Sequence, residues 1–224
     1  MRTLAIGDVH GCFTAMKTLL AYANVDTSDR VVWLGDYVDR GPDSARVVEF
    51  LIAQSSNANT VCLRGNHEIM MERARHTLPG MRSWAMCGGG ATWDSYSKLY
   101  GGDGLEAVPK SHWEFIASLA RYHETETHIF VHASLDAELE LADQFDVTLF
   151  WGDFSSIGPH HTGKPVICGH SSQKSGIPKS LGHAICVDTW ACGDGWLTCL
   201  DVSSGRYWQA NQAGETRSDW LDAN

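Results

Sequence analysis

TLAIGDVHG at residues 3–11, RVVWLGDYVDRG at 30–41 and TVCLRGNHE at 60–68 decide the fold. Each opens as a short apolar run and breaks at a glycine turn, so each reads as a buried strand with a polar exit. Phe13, Met16, Leu19, Leu20 and Ala23 recur at helical spacing between the first two runs. Val47, Val48, Leu51 and Ile52 do the same between the second and third. The order β-α-β-α-β implies a parallel sheet. Ligands of open α/β sheets bind outside the carboxyl ends of the strands. Three polar turns are therefore expected on one edge, with another helix from residue 68 onward.

Further along, residues 87–104 (CGGGATWDSYSKLYGGDG) are rich in glycine and aromatics and read as a loop or partly ordered flap. Trp113, Ile116 and Leu119 mark a helix. The C-terminal half reads as β-rich, with strands expected at 128–132, 166–169, 184–188, 196–202 and 206–210. A second sheet packed on the first makes one α/β domain over residues 1–210. The polar stretch 211–224 reads as a fraying tail.

The formal net charge of −10 repels a phosphate backbone, and no run of Lys or Arg reverses this locally, so no nucleic-acid partner is expected. No stretch approaches the roughly 18–20 apolar residues that span a bilayer. The opening MRTLAIGDVHG leaves no room for a secretory leader before its first glycine turn. No membrane association and a cytoplasmic location are the expectations. Seven cysteines at irregular spacing suggest reduced thiols rather than a disulfide framework.

Asp8 and His10 sit two apart on the first turn. Alone, such a pair in a glycine turn usually satisfies backbone hydrogen bonds and nothing more. But Asp36, Asp39 and Arg40 follow the second strand, and Arg64, Asn66 and His67 follow the third. Three consecutive strand ends then carry ligand-type and phosphate-binding side chains. His132 and His170 each close a later apolar run and would reach the same edge. Mixed oxygen and nitrogen donors suit Mn, Fe or Zn better than Ca or Cu(I). The pair His160-His161 is a weaker additional candidate.

GDVHG (residues 7–11), GDYVDRG (35–41), RGNHE (64–68), VHAS (131–134) and GHS (169–171) resemble the motifs of PPP-type metallophosphoesterases. That serine/threonine phosphatase family includes the phage-lambda-type bacterial enzymes. The resemblance implies a calcineurin-like α/β fold, two mixed sheets face to face with flanking helices. It implies two divalent ions, Mn2+ expected and Fe or Zn compatible. Asp8 and His10 would hold the first, Asp36 would bridge, and Asn66, His132 and His170 would hold the second. Arg40 and Arg64 would bind the substrate phosphate. His67 would be the general acid, oriented by Asp39. Two such ions can share a water and bring its pKa near neutral for in-line attack on phosphorus. The expected reaction is hydrolysis of phosphomonoesters. A phosphoserine or phosphothreonine protein or peptide leads as substrate, with phosphotyrosine and small phosphoesters also in range.

The chain departs from that pattern in places. Asp153 stands where lambda-type relatives carry a further phosphate-binding arginine, and Arg121 is a poor substitute. Ser134 replaces a glycine, and Trp190 follows Asp188-Thr189 where relatives often have glycine. The main rival is a symmetrical dinucleoside tetraphosphate hydrolase on the same scaffold, against which Asp39 argues because those relatives often lack that acid. A non-catalytic phosphate-binding module is the remote alternative.

Overall fold

The first strand, β1 (Thr3–Ile6), turns Leu4 and Ile6 into one apolar cluster and Ala5 into another. β2 (Arg30–Trp33) repeats this, with Val31 and Trp33 on one face and Val32 on the other. Alternation of this kind marks strands covered on both sides. The structure, a computed structural model, describes residues 1–221. Helices α1 (Phe13–Tyr22) and α2 (Ser44–Gln54) separate β1, β2 and β3 (Thr60–Cys62), and the three strands pair in parallel. The expected β-α-β-α-β unit is therefore present. Four helices follow: α3 (Asn66–Ala74), α4 (Leu78–Trp84), α5 (Gly90–Tyr100) and α6 (Lys110–Ser118).

The second half supplies β4 (Tyr122–Glu124), β5 (Ile129–Val131), α7 (Asp146–Trp151), β6 (Val166–Cys168), β7 (Lys179–Ser180), β8 (Ala184–Cys186), β9 (Asp188–Thr189), β10 (Trp196–Asp201), β11 (Arg206–Ala210) and β12 (Thr216–Trp220). One sheet runs β12-β11-β10-β1-β2-β3, with β9 paired to β10. The other runs β4-β5-β6-β8-β7. Both are mixed. β10 lies antiparallel to β1, whereas β5, β6 and β8 are mutually parallel between antiparallel edge strands.

Three apolar layers hold these parts together. Met16, Leu19, Val47, Val48, Leu51 and Ile116 bring α1, α2 and α6 onto the outer face of the first sheet. Ala5, Val32, Leu34, Phe130, Ile167 and Leu200 fill the space between the sheets. Leu149 and Phe150 of α7 cover the outer face of the second. This is the expected α/β architecture of two mixed sheets face to face with flanking helices. Among the described residues no helix is long and apolar enough to cross a membrane.

Two expectations change. Residues 87–104 are mainly helical rather than a loop: the chain kinks at Gly88 (φ +103°) and continues as α5. The buried face of α5 is Thr92, Ser95 and Tyr96, so two of its three inward residues are polar and the apolar period is hidden. The polar tail is also partly ordered, because β12 pairs along the whole of β11. Its side chains are mostly exposed, as befits an edge strand held by backbone hydrogen bonds. Arg217 adds side-chain bonds to Gln209 Oε1 (2.6 Å) and the Gly176 carbonyl (2.5 Å). The last three residues of the expected tail, 222–224, lie outside the described residues.

A candidate dimetal centre at the seam of the sheets

Loops leaving β1 and β2 are zipped together by backbone bonds. The amides of Val9 and His10 donate to the Asp36 carbonyl at 3.1 and 2.8 Å, and Gly11 donates to Tyr37 at 2.8 Å. A buried carboxylate then ties in the loop after β3. Glu68, in the first turn of α3, accepts the amides of Asp36 (3.0 Å), Tyr37 (2.8 Å), Val38 (3.3 Å) and Gly65 (2.9 Å). Among the described residues seven non-glycine positions have positive φ, and six of them are His10, Asp36, Asp39, Arg40, His170 and Trp190. Such backbone is strained for most side chains and concentrates at functional sites.

These loops bring His10, Asp36, Asn66, His67, His132 and His170 together. His10 Nδ1 donates to the Val38 carbonyl (2.9 Å), which leaves Nε2 facing Asp36 Oδ2 at 3.5 Å. His132 Nδ1 donates to the Leu34 carbonyl (2.8 Å), a bond from the second sheet to the first, and its Nε2 lies 3.4 Å from Asp36 Oδ1. Asn66 Oδ1 is 3.0 Å from His132 Nε2 and 3.1 Å from His170 Nδ1. Two groups of potential ligands share Asp36: His10, Asp36 and His67, then Asp36, His132 and His170.

The donor set fits divalent cations. Burial brings His10 down to about 3, and burial with the neighbouring His132 brings His170 down to about 4, so both rings are neutral bases at physiological pH. Burial alone would raise Asp36, but His132, His67 and His10 surround it and hold it well below the usual carboxylate range. Backbone carbonyls fix two of the imidazole tautomers, as outer contacts do at metal sites. Asp8 sits beside this cluster with both oxygens accepting the His170 amide at 3.1 Å. Burial and the nearby Asp188 and Asp36 push Asp8 well above its ordinary value, so a cation is the complementary partner of this corner.

His67 Nδ1 lies 2.7 Å from Asp39 Oδ2. Asp39 also accepts Trp84 Nε1 at 2.9 Å and Thr92 Oγ1 at 2.8 Å. The Arg40 guanidinium spans the two imidazoles, Nη1 to His10 Nε2 at 2.8 Å and Nη2 to His67 Nε2 at 3.0 Å. Arg64 is not gathered into this group. Its Nη2 pairs with Glu72 (3.0 Å) and donates to the Ile116 carbonyl (3.1 Å). Asp153 is likewise turned to local use, capping a short turn through the Ser155 amide at 2.6 Å. His160 bonds Thr162 and the Leu139 carbonyl and lies in neither ligand group.

Sequence reasoning missed Glu68, Trp84 and Thr92 as supports. Glu68 belongs to RGNHE, and a carboxylate at the start of a buried helix is a readable signal. Trp84 and Thr92 carry none, because their contact with Asp39 depends on how α4 and α5 fold back.

Two sheets enclosing a His/Asp/Asn cluster at their seam define the dimetal phosphoesterase class. The chain matches the family model of the calcineurin-like phosphoesterases over residues 1–186 and belongs to that family, which uses a dinuclear metal centre. Over 70 residues, 31% of this chain, it is 43% identical to the symmetrical bis(5'-nucleosyl)-tetraphosphatase of Photorhabdus laumondii. It is 29% identical over 184 residues, 77% of the chain, to the enzyme of the same name from Cellvibrio japonicus. The matched segments span only 25% and 62% of those relatives' lengths. A solved structure provisionally described as a diadenosine tetraphosphatase superposes with a TM-score of 0.67 at 18% identity, covering 98% of this chain and 93% of that one, and so shares the fold.

These relatives overturn the leading expectation of a phosphoprotein phosphatase, since the curated names are those of dinucleoside tetraphosphatases. The argument from Asp39 fails for a physical reason. Asp39 is spent on His67, Trp84 and Thr92, contacts within the protein that do not by themselves distinguish one phosphoester from another.

Proposed function

We propose that this chain hydrolyses dinucleoside tetraphosphates symmetrically, giving two nucleoside diphosphates, and that its site residues act as follows. His10, Asp36 and Asp8 would hold one divalent ion, and Asp36, Asn66, His132 and His170 a second. Manganese is the expected metal, with iron or zinc compatible with the same donors. When bound, the two ions supply Lewis acidity and charge neutralisation for phosphoryl transfer. Arg40 leaves the two imidazoles and pairs with non-bridging phosphate oxygens through its planar fork. That movement frees His10 Nε2 for metal and His67 Nε2 to carry a proton. His67 then protonates the departing diphosphate, steered by Asp39. Arg64, engaged by Glu72, supports α3 unless substrate draws it away. Seven free thiols suit a reducing cytoplasmic setting.

The observation that carries this reading is the shared Asp36 between two ligand groups, with Arg40 laid across the two imidazoles of the first, in a chain whose curated relatives are named for that activity. The test supplies Mn2+ and compares ADP release from diadenosine tetraphosphate with phosphate release from phosphopeptides. ADP as the dominant product is expected. Faster phosphopeptide turnover, or AMP with ATP as products, sinks the proposal.

A further inference from the structure

Trp190 is a bulky residue in left-handed backbone (φ +66°), a conformation that needs outside support. Its amide donates to Asp188 Oδ1 at 2.9 Å, and Asp188 is itself buried and bonded by Ser172 Oγ at 2.6 Å. Its carbonyl accepts the Gly193 amide at 3.0 Å, closing a tight turn. The indole lies flat enough on Gly193 that an added Cβ there would come within 2.3 Å of the ring. So the turn is built around the ring, and the ring is only partly covered.

The turn is also anchored at the site. Cys12, just past GDVHG, donates its thiol to the Ala191 carbonyl at 3.4 Å. Cys192 lies against the Arg40 guanidinium. On the opposite rim, Lys174 is four residues past His170, and its Nζ stands 5.3 Å from the Trp190 ring centroid. Gln173 pins that segment to the Asp188 carbonyl at 2.8 Å. A partly exposed indole with a lysine ammonium over it, on a turn whose Cys192 meets the Arg40 guanidinium, has the parts of a nucleoside polyphosphate subsite.

We infer that Trp190 is a stacking platform for one nucleobase of the substrate, and that Lys174 leaves the ring for the polyphosphate when the base arrives. This rests on the dinucleotide reading above and adds the residue that selects for a base. Stacking of a base on an aromatic ring is worth roughly five- to a hundredfold in affinity. Glycine suits positive φ, so Trp190→Gly removes the ring without straining the turn. Trp190→Phe keeps an aromatic face.

The experiment measures kcat/KM for diadenosine tetraphosphate relative to inorganic tripolyphosphate in the three proteins. Trp190→Gly should lower that ratio about tenfold, through KM, and Trp190→Phe should restore most of it. A fall in both substrates together, leaving the ratio unchanged, overturns the platform. A second readout stands apart from the dinucleotide reading: ADP and pyrophosphate as competitive inhibitors of p-nitrophenyl phosphate hydrolysis. Wild type should bind ADP about tenfold better than pyrophosphate, and Trp190→Gly should bind them alike. If wild type leaves diadenosine tetraphosphate intact yet keeps the ADP advantage through Trp190, the reaction assignment fails and the platform stands. Equal inhibition of wild type by ADP and pyrophosphate overturns the platform.

Discussion

His67 sits between influences of opposite sign. Burial works against its charged form, but Asp36 and the 2.7 Å contact with Asp39 outweigh it and hold the imidazole above its ordinary pKa. The ring therefore keeps its proton to higher pH than an ordinary histidine, which suits the proposed general acid. His67→Asn should lower kcat by about 100-fold while the metal-to-protein ratio stays at the wild-type value. A variant that keeps full turnover would end the general-acid assignment. For the pH profile the sign is fixed by the raised value. The stability it contributes is fully present below the ordinary histidine pKa and is lost as pH rises through the folded-state value, and the same loss of the proton sets the basic limb of activity. Asp39→Asn removes one support and should move the basic limb of kcat/KM to lower pH. A limb that stays in place would show that another group titrates.

α5 and the kink before it show how an element serves a residue it is not next to in sequence. Gly88 accepts the Arg40 amide at 3.1 Å, and a Cβ on it would come 2.8 Å from Arg40 Cγ. Gly88→Ala should therefore cost about 1–3 kcal/mol from the positive φ and the collision together, read by denaturant unfolding. It should also raise KM, since Arg40 is displaced; an unchanged KM would separate the kink from phosphate binding. The elements that sequence reading found and missed divide on the same ground. β1, β2, α1 and α2 were legible because apolar residues fall at strand or helix period and the polar turns fall at strand ends. α5 was not, since Thr92 and Ser95 face inward to meet Asp39, Ser44 and the Ala45 amide. β12 was not, since an edge strand bonded through its backbone has no apolar code to read. For the site, the gathering of His10, Asp36, Asn66, His132 and His170, with Asp8 beside them, could be read from their positions at strand ends. The turning of Arg64 toward Glu72 could not, because the partner lies on the outer side of a helix not yet placed.

Across the whole molecule, the candidate ligands come from both sheets. Asp8, His10, Asp36 and Asn66 follow strands of the first, whereas His132 and His170 follow strands of the second. Divalent ions at that seam would join the sheets in the folded chain and have no such arrangement to bind when it is unfolded. Saturating Mn2+ should raise the thermal midpoint by about 5–10 °C over chelator-treated protein, taking free metal near a hundred times its dissociation constant. A midpoint that ignores chelator would mean the cluster holds no structural ion. The same seam contains the Glu68 carboxylate, which takes amides from two loops about 30 residues apart. Those loops are registered to one another by a single group, so they keep or lose their places together. Glu68→Gln, which trades an acceptor oxygen for a donor against four N–H groups, should therefore divide the population rather than slow it. Metal occupancy and total activity should fall in proportion, while turnover per metal-loaded molecule stays near wild type. A catalytic centre set in this way comes in whole units, and damage to its frame is counted in lost molecules.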